Sequence, residues 1–157
     1  MRDLVLSLLV ENNPGVVNRV TRHFTHRGYN IDSLNVGKTK NPNISKMTIV
    51  THGDEKTFLQ LERHLDKLIE VIEVSPLSSG EAIFRELALI KLEANENNTD
   101  FIHDLNSEFN IKIIKVGANT FVLEVIEEGL KINKLVEQLQ RFNVLDVVRT
   151  GLTGMRI

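Results

Sequence analysis

Apolar residues recur along this chain in two alternating modes. Short branched runs bounded by turn residues mark strands, and longer stretches with apolar positions three and four apart mark helices. Leu4 to Val10 is the first run. A polar corner, Glu11-Asn12-Asn13-Pro14-Gly15, follows it, and then an amphipathic segment, Val16 to Arg27, whose Val16, Val20 and Phe24, with Val17 alongside, share one face. The corner predicts a helix start, with Asn13 as N-cap, Pro14 at the first helical position and Gly15 allowing close approach of the backbone. Gly28 is expected to end this helix in the left-handed conformation. Asn30 to Gly37 and Lys46 to His52 read as strands joined in a hairpin through the turn formers from Lys38 to Asn43. A helix starting at Gly53 or Asp54 carries the stripe Phe58, Leu61, Leu65, Leu68, and Val71 to Val74 is a short strand stopped by Pro76.

Ser78-Ser79-Gly80 reads as a linker, after which the same order returns. Ile83 to Glu93 is an apolar strand, and Asn98 or Thr99 is expected to cap a helix through Phe109. Ile111 to Val116 and Thr120 to Ile126 are strands joined through Gly117-Ala118-Asn119. Leu130 to Phe142 is a helix with Ile132, Leu135, Val136 and Leu139 inward, and Val144 to Val148 is a last strand, with Gly151-Leu152-Thr153-Gly154 a flexible end. The predicted class is α+β, two tandem ferredoxin-like βαββαβ units, residues 1–77 and 78–157. Such a sheet has helices on one face only. Strands that stay apolar over most of their length therefore point to cover on the second face too, and predict docking between copies.

Composition narrows the function. The 157 residues are 41% hydrophobic and 25% charged with a formal net charge of −2, so a folded core is expected and a nucleic-acid partner, which needs a basic face, is not. No cysteine is present, which excludes thiolate chemistry, and no apolar run approaches the roughly 20 residues of a membrane helix. Glycine-rich phosphate loops of the GxGxxG and GxxxxGK[ST] kinds are absent. His23 and His26 lie one helical turn apart, but no third ligand accompanies them at a metal-binding spacing, so no metal site and no catalytic residue is expected. What remains is the corner at Asn13 to Val17. The first turn of a helix offers unpaired N–H groups and partial positive charge, which suits a carboxylate or a phosphate, although the same residues also read as an ordinary strand-to-helix turn.

Glu11-Asn12-Asn13-Pro14-Gly15-Val16-Val17-Asn18-Arg19-Val20, followed by Phe24 and by Arg27-Gly28-Tyr29-Asn30-Ile31-Asp32-Ser33-Leu34, resembles the small regulatory subunits of acetohydroxyacid (acetolactate) synthase. Ser45-Lys46-Met47-Thr48-Ile49, Gly53-Asp54-Glu55, Leu65 to Val71, Arg85 to Lys91 and Arg149-Thr150-Gly151 are similar to that family too, so the resemblance spans essentially the whole chain.

The resemblance implies an ACT domain, an amino-acid sensor, in the first half and an ACT-like domain in the second. It implies no catalytic role, and regulation of a separate catalytic large subunit that carries thiamine diphosphate, Mg²⁺ and FAD. It implies a homodimer through the ACT domains, with L-valine as feedback inhibitor between them and leucine and isoleucine left open. The implied effector residues are Asn12, Asn13, Gly15, Val16 and Val17 from one protomer, and Asn30 and Ile31 from the other. Bacterial cytoplasm or plastid stroma is the implied location. Each residue has a plainer alternative: Asn13 as a cap, Asn30 as a turn residue, Ile31 as core. A stand-alone ACT regulator of another partner, and a ferredoxin-like acylphosphatase using Arg19, remain as competing functions.

Overall fold

Alternation along the first strand divides its side chains between two faces. β1 (Arg2–Glu11) turns Leu6, Leu8 and Val10 to one side, where all three are fully buried. The computed structural model describes residues 2–93, 96–115 and 119–157. β1 is followed by α1 (Val16–Thr25), β2 (Ser33–Lys38), β3 (Ile44–Gly53), α2 (Glu55–Leu65) and β4 (Val71–Leu77), and the strands form an antiparallel sheet in the order β2-β3-β1-β4. Val16, Val20 and Phe24 of α1 and Leu61 and Leu65 of α2 close over Leu6, Leu8, Val10, Met47 and Ile49.

The order then repeats as β5 (Ala82–Glu93), α3 (Glu96–Phe109), β6 (Ile111–Lys115), β7 (Thr120–Glu127), α4 (Gly129–Leu139) and β8 (Val144–Arg149), with strand order β6-β7-β5-β8. Its core is Ala88, Ile90, Leu92, Leu123 and Val125 against Ile102, Leu105, Phe109, Ile132, Leu135 and Leu139. The fold is α+β, with two tandem ferredoxin-like units as the periodicity predicts. By contacts the chain falls into Phe84–Gly151 on the one hand and Met1–Ile83 with Leu152–Ile157 on the other.

Several local expectations are corrected. α1 begins at Val16, and its N-cap is Gly15, not Asn13; Pro14 stands in the turn before it. Asp54 does cap α2, its carboxylate accepting from the Thr57 N–H at 2.8 Å. Gly28 has φ +70°, the left-handed conformation expected of a helix stop. β4 runs through Pro76 because β4 is an edge strand, where a missing N–H can face away from the sheet. Asn98 and Thr99 lie inside α3, which starts at Glu96, so neither caps it. Val116, Gly117 and Ala118, expected at the end of a strand and in its turn, lie outside the described residues.

The expected flexible end is instead a strand, β9 (Thr153–Arg156), pairing with β5. Gly154 is buried, and its N–H donates to Thr48 Oγ1 at 3.3 Å. The Leu152 N–H donates to Ser33 Oγ at 2.8 Å, the Ile157 N–H to the Glu81 carbonyl at 3.0 Å, and the Arg156 guanidinium to the Pro76 carbonyl at 3.1 Å. Thr48 sits opposite Ser7 in the β1–β3 ladder, on the face away from the helices, and both are buried. Part of the cover expected from a second copy thus comes from the chain's own last residues.

Candidate functional site

The corner after β1 is held by backbone and short polar side chains. The Asn12 N–H donates to the Asn43 carbonyl at 2.7 Å and its side-chain amide to the Pro42 carbonyl at 2.8 Å, tying the corner to the β2–β3 hairpin. The Asn13 amide turns back to Glu11 Oε2 at 2.8 Å and so does not serve the helix. Gly15 takes φ +85°, ψ −7°, and offers no side chain to cap α1. The Val16 N–H reaches the Asn13 carbonyl at 3.3 Å, while no acceptor among the described residues takes the Gly15 or Val17 N–H. A helix start without a side-chain cap keeps its donors and partial positive charge available to an anion. Val16 is buried in the core, while Val17 is 41% exposed beside the corner.

Arg19 contributes to this corner in a way the sequence does not disclose. Its Nε pairs with Glu70 Oε1 at 2.7 Å, and a Cβ added at Gly15 would stand 3.2 Å from its Nη1. The Glu11 N–H also bonds the Glu70 carbonyl at 2.9 Å, so the segment before β4 supports the corner twice. The signal is invisible in one dimension because Arg19 and Glu70 are far apart along the chain.

Asn30 and Ile31 lie at the other end of α1. The Asn30 amide donates to Asp32 Oδ1 at 2.7 Å, and the Asn30 carbonyl accepts from the Thr51 hydroxyl. Ile31 is half-buried and packs on the first core beside Tyr29 and Leu34. Ten residues of helix span about 15 Å. The ladder agrees, since Glu11 faces Ile44 on β3 whereas Thr51, the partner of Asn30, faces Leu4. One chain therefore does not bring Asn12, Asn13, Gly15, Val16 and Val17 together with Asn30 and Ile31.

Behind Asn30 stands a cluster that sequence reading passed over. His52 Nδ1 lies against Asp32 Oδ2, and His52 Nε2 is 2.6 Å from Asp3 Oδ1. The hydrogen bond with Asp32, the nearby charge of Asp3 and then that of Asp32 raise the His52 pKa above its ordinary value. His23 moves the other way, lowered by burial first and then by the Arg27 guanidinium beside it. Among the described residues no three His, Cys, Asp or Glu side chains converge as a metal-binding group, and no helix is long and apolar enough to cross a membrane.

In the second unit the strongest polar feature is structural. Glu86, buried on β5, receives Arg149 Nε at 2.9 Å and Nη2 at 2.6 Å, and Arg149 Nη1 donates to Asn133 Oδ1 at 2.7 Å. This two-pronged pair fixes the end of β8, immediately before the chain crosses to β9.

The βαββαβ unit with this corner is an ACT domain by its match, residues 6–73, to the model of the AHAS small subunit-like ACT domain. Residues 85–157 match the model described as the small subunit of acetolactate synthase. The probable acetolactate synthase small subunit of Methanothermobacter thermautotrophicus is 36% identical over 152 residues, covering 96% of this chain and 90% of its own. The acetolactate synthase isozyme 3 small subunit of Escherichia coli is 35% identical over 152 residues, covering 96% of this chain and 93% of its own. The crystal structure of the small subunit from Thermotoga maritima superposes with a TM-score of 0.90 at 34% identity, covering 100% of this chain and 98% of its own. The chain belongs to the acetolactate synthase small-subunit family.

Proposed function

We propose that this chain is the feedback-sensing subunit of an acetolactate synthase, binding L-valine between two copies of its first unit and both activating and restraining a catalytic large subunit. The observation that carries the reading is the separation of Asn12 to Val17 from Asn30 and Ile31 along α1. Each chain holds both halves of a site, and neither half is complete alone.

The topology supplies a way to join them. β2 is an edge strand, with Val36 41% exposed. β2 starts opposite Val50, near Asn30, and ends opposite Ser45, near the Asn12 corner. Antiparallel pairing with the β2 of a second copy sets the start of one strand beside the end of the other. That apposition brings Asn30 and Ile31 of one copy toward Asn12 to Val17 of the other, twice per dimer. The Gly15 and Val17 N–H groups then receive the carboxylate, Asn30 Oδ1 the ammonium, and exposed Val17 with half-buried Ile31 the isopropyl group. The chemistry belongs to the large subunit, with its thiamine diphosphate, Mg²⁺ and FAD.

A ligand across this interface stabilises the arrangement that closes it, and shifts the assembly by its differential affinity for that state. Calorimetric titration with L-valine, D-valine serving as control, tests the sensor. Stereoselective binding at one ligand per one or two chains is the expected result. Reconstitution with a large subunit tests activation, and absence of any L-valine effect on both the chain and the reconstituted enzyme overturns the reading.

A further inference from the structure

Asn30 carries an amide that could face either way, and its neighbours decide which. Asp32 is acceptor-only when ionised, so it takes the Asn30 NH₂ at 2.7 Å and turns the amide oxygen outward. Asp32 is in turn held from both sides: its own N–H donates to the Val50 carbonyl at 2.9 Å, and its second oxygen meets His52 Nδ1. The far nitrogen of His52 meets Asp3 on β1. Among the described residues, the charged groups facing His52 are therefore Asp3 from β1 and Asp32 from the segment before β2.

We propose that Asp32 and His52 form a positioning relay behind Asn30, which presents Asn30 Oδ1 to the ammonium group of an amino-acid effector and makes effector binding depend on the protonation of His52. The relay rests on the effector reading of Asn30 given above. Its chemistry follows from imidazole. Protonated His52 donates from both nitrogens and satisfies Asp32 and Asp3 together. Neutral His52 donates from one nitrogen only, and the other then presents a lone pair to a carboxylate. One aspartate must let go, and when it is Asp32 the Asn30 amide loses its fixed direction. The effector prefers the fixed form, so it binds tightest where His52 is charged and more weakly as pH rises through the raised His52 value. The cluster is open to solvent, His52 being 54% and Asp3 63% exposed, so the effect is modest and shrinks with added salt.

The experiment is L-valine titration calorimetry of the whole chain from about pH 6 to about pH 9, at low and high salt, on the wild type, His52→Gln and Asp32→Asn. The His52 imidazole resonances are followed over the same range. The wild type is expected to lose about two- to fivefold in affinity toward the alkaline end. His52→Gln is expected to bind with a flat profile, and Asp32→Asn to bind weakly throughout. Asp32→Asn should also lower the pH at which His52 titrates, a change that loss of packing alone does not produce. A flat wild-type profile, or an equal slope in His52→Gln, overturns the relay and leaves the valine site standing. No L-valine binding at any pH overturns the site, and the relay with it.

Discussion

At φ +85°, Gly15 occupies backbone space that a side chain enters only with strain, and Arg19 Nη1 waits 3.2 Å from where its Cβ would be. Gly15→Asp is expected to cost about 1 kcal/mol of stability from the backbone alone. Its carboxylate is also expected to pair with Arg19 and occupy the anion position, abolishing L-valine inhibition of the reconstituted enzyme while activation persists. Undiminished inhibition in this variant would exclude the corner as the site. His52 yields a second expectation at this scale. Its folded pKa is raised, chiefly by the Asp32 hydrogen bond, so its stabilising contribution is full below the unfolded value of 6.5 and disappears as pH rises through the folded value. Urea midpoints across that range should fall in the wild type and flatten in His52→Gln. A wild-type midpoint that climbs toward alkaline pH relative to the variant would contradict the assignment. Residue roles were only partly legible in the sequence. Gly15 shows in the sequence as the glycine of a polar corner, whereas Asn30 and Ile31 are singled out only by what the family resemblance implies. Arg19, Asp32 and His52 did not stand out, since the partners that give them meaning, Glu70 and Asp3, come from other elements.

Elements were read more securely than their ends. Phe58, Leu61 and Leu65 announced α2 because a helix stripe is local, while its start, open between Gly53 and Asp54 in the sequence, is settled by the Asp54 side chain capping it. The α1 start was misplaced by the Asn13-Pro14 pair, which has good capping chemistry but gave way to Gly15, whose left-handed turn sets where helical dihedrals begin. β9 was missed for a different reason. Leu152-Thr153-Gly154-Met155 shows no helical stripe and only four residues of strand, and it is held by donors reaching Ser33 and Thr48 more than a hundred positions away. Thr48→Val keeps the shape and removes the acceptor for the Gly154 N–H. It is expected to cost about 1 kcal/mol, measurable in chemical denaturation, and a neutral result would mean that the contact does not hold β9. Arg149→Met leaves the Glu86 carboxylate buried without its partner. Arg149 is about one-third exposed, so a loss of about 2 kcal/mol is expected, below the range for a fully buried pair. A change under about 0.5 kcal/mol would show that water replaces the guanidinium.

At the scale of the molecule, the described residues form two cores, one built on Phe24, Leu61 and Leu65, the other on Phe109, Leu135 and Leu139. The repeated βαββαβ order made this duplication visible in the sequence, because each repeat carries its own pair of helical stripes. Phe24→Ala is expected to cost about 3–5 kcal/mol and Leu135→Ala about 2–5 kcal/mol. Falling in separate core clusters, the two losses should add to within about 0.5 kcal/mol in the double variant, read from denaturant unfolding. A larger departure would mean that the cores communicate. The sequence could not show that the first unit is finished by residues 152–157.

That late closure has a consequence for biosynthesis. On the ribosome, residues 1–83 emerge with both helices and all four strands of their sheet, yet Thr48 must wait for Gly154. About 70 further residues have to be made first, roughly 4–15 s at 5–20 residues per second. For that interval the nascent sensor has one finished face and one provisional one. A stalled or clipped chain would leave it so permanently, and a sheet surface meant to be covered would be offered to whatever chaperone or neighbouring nascent chain is near.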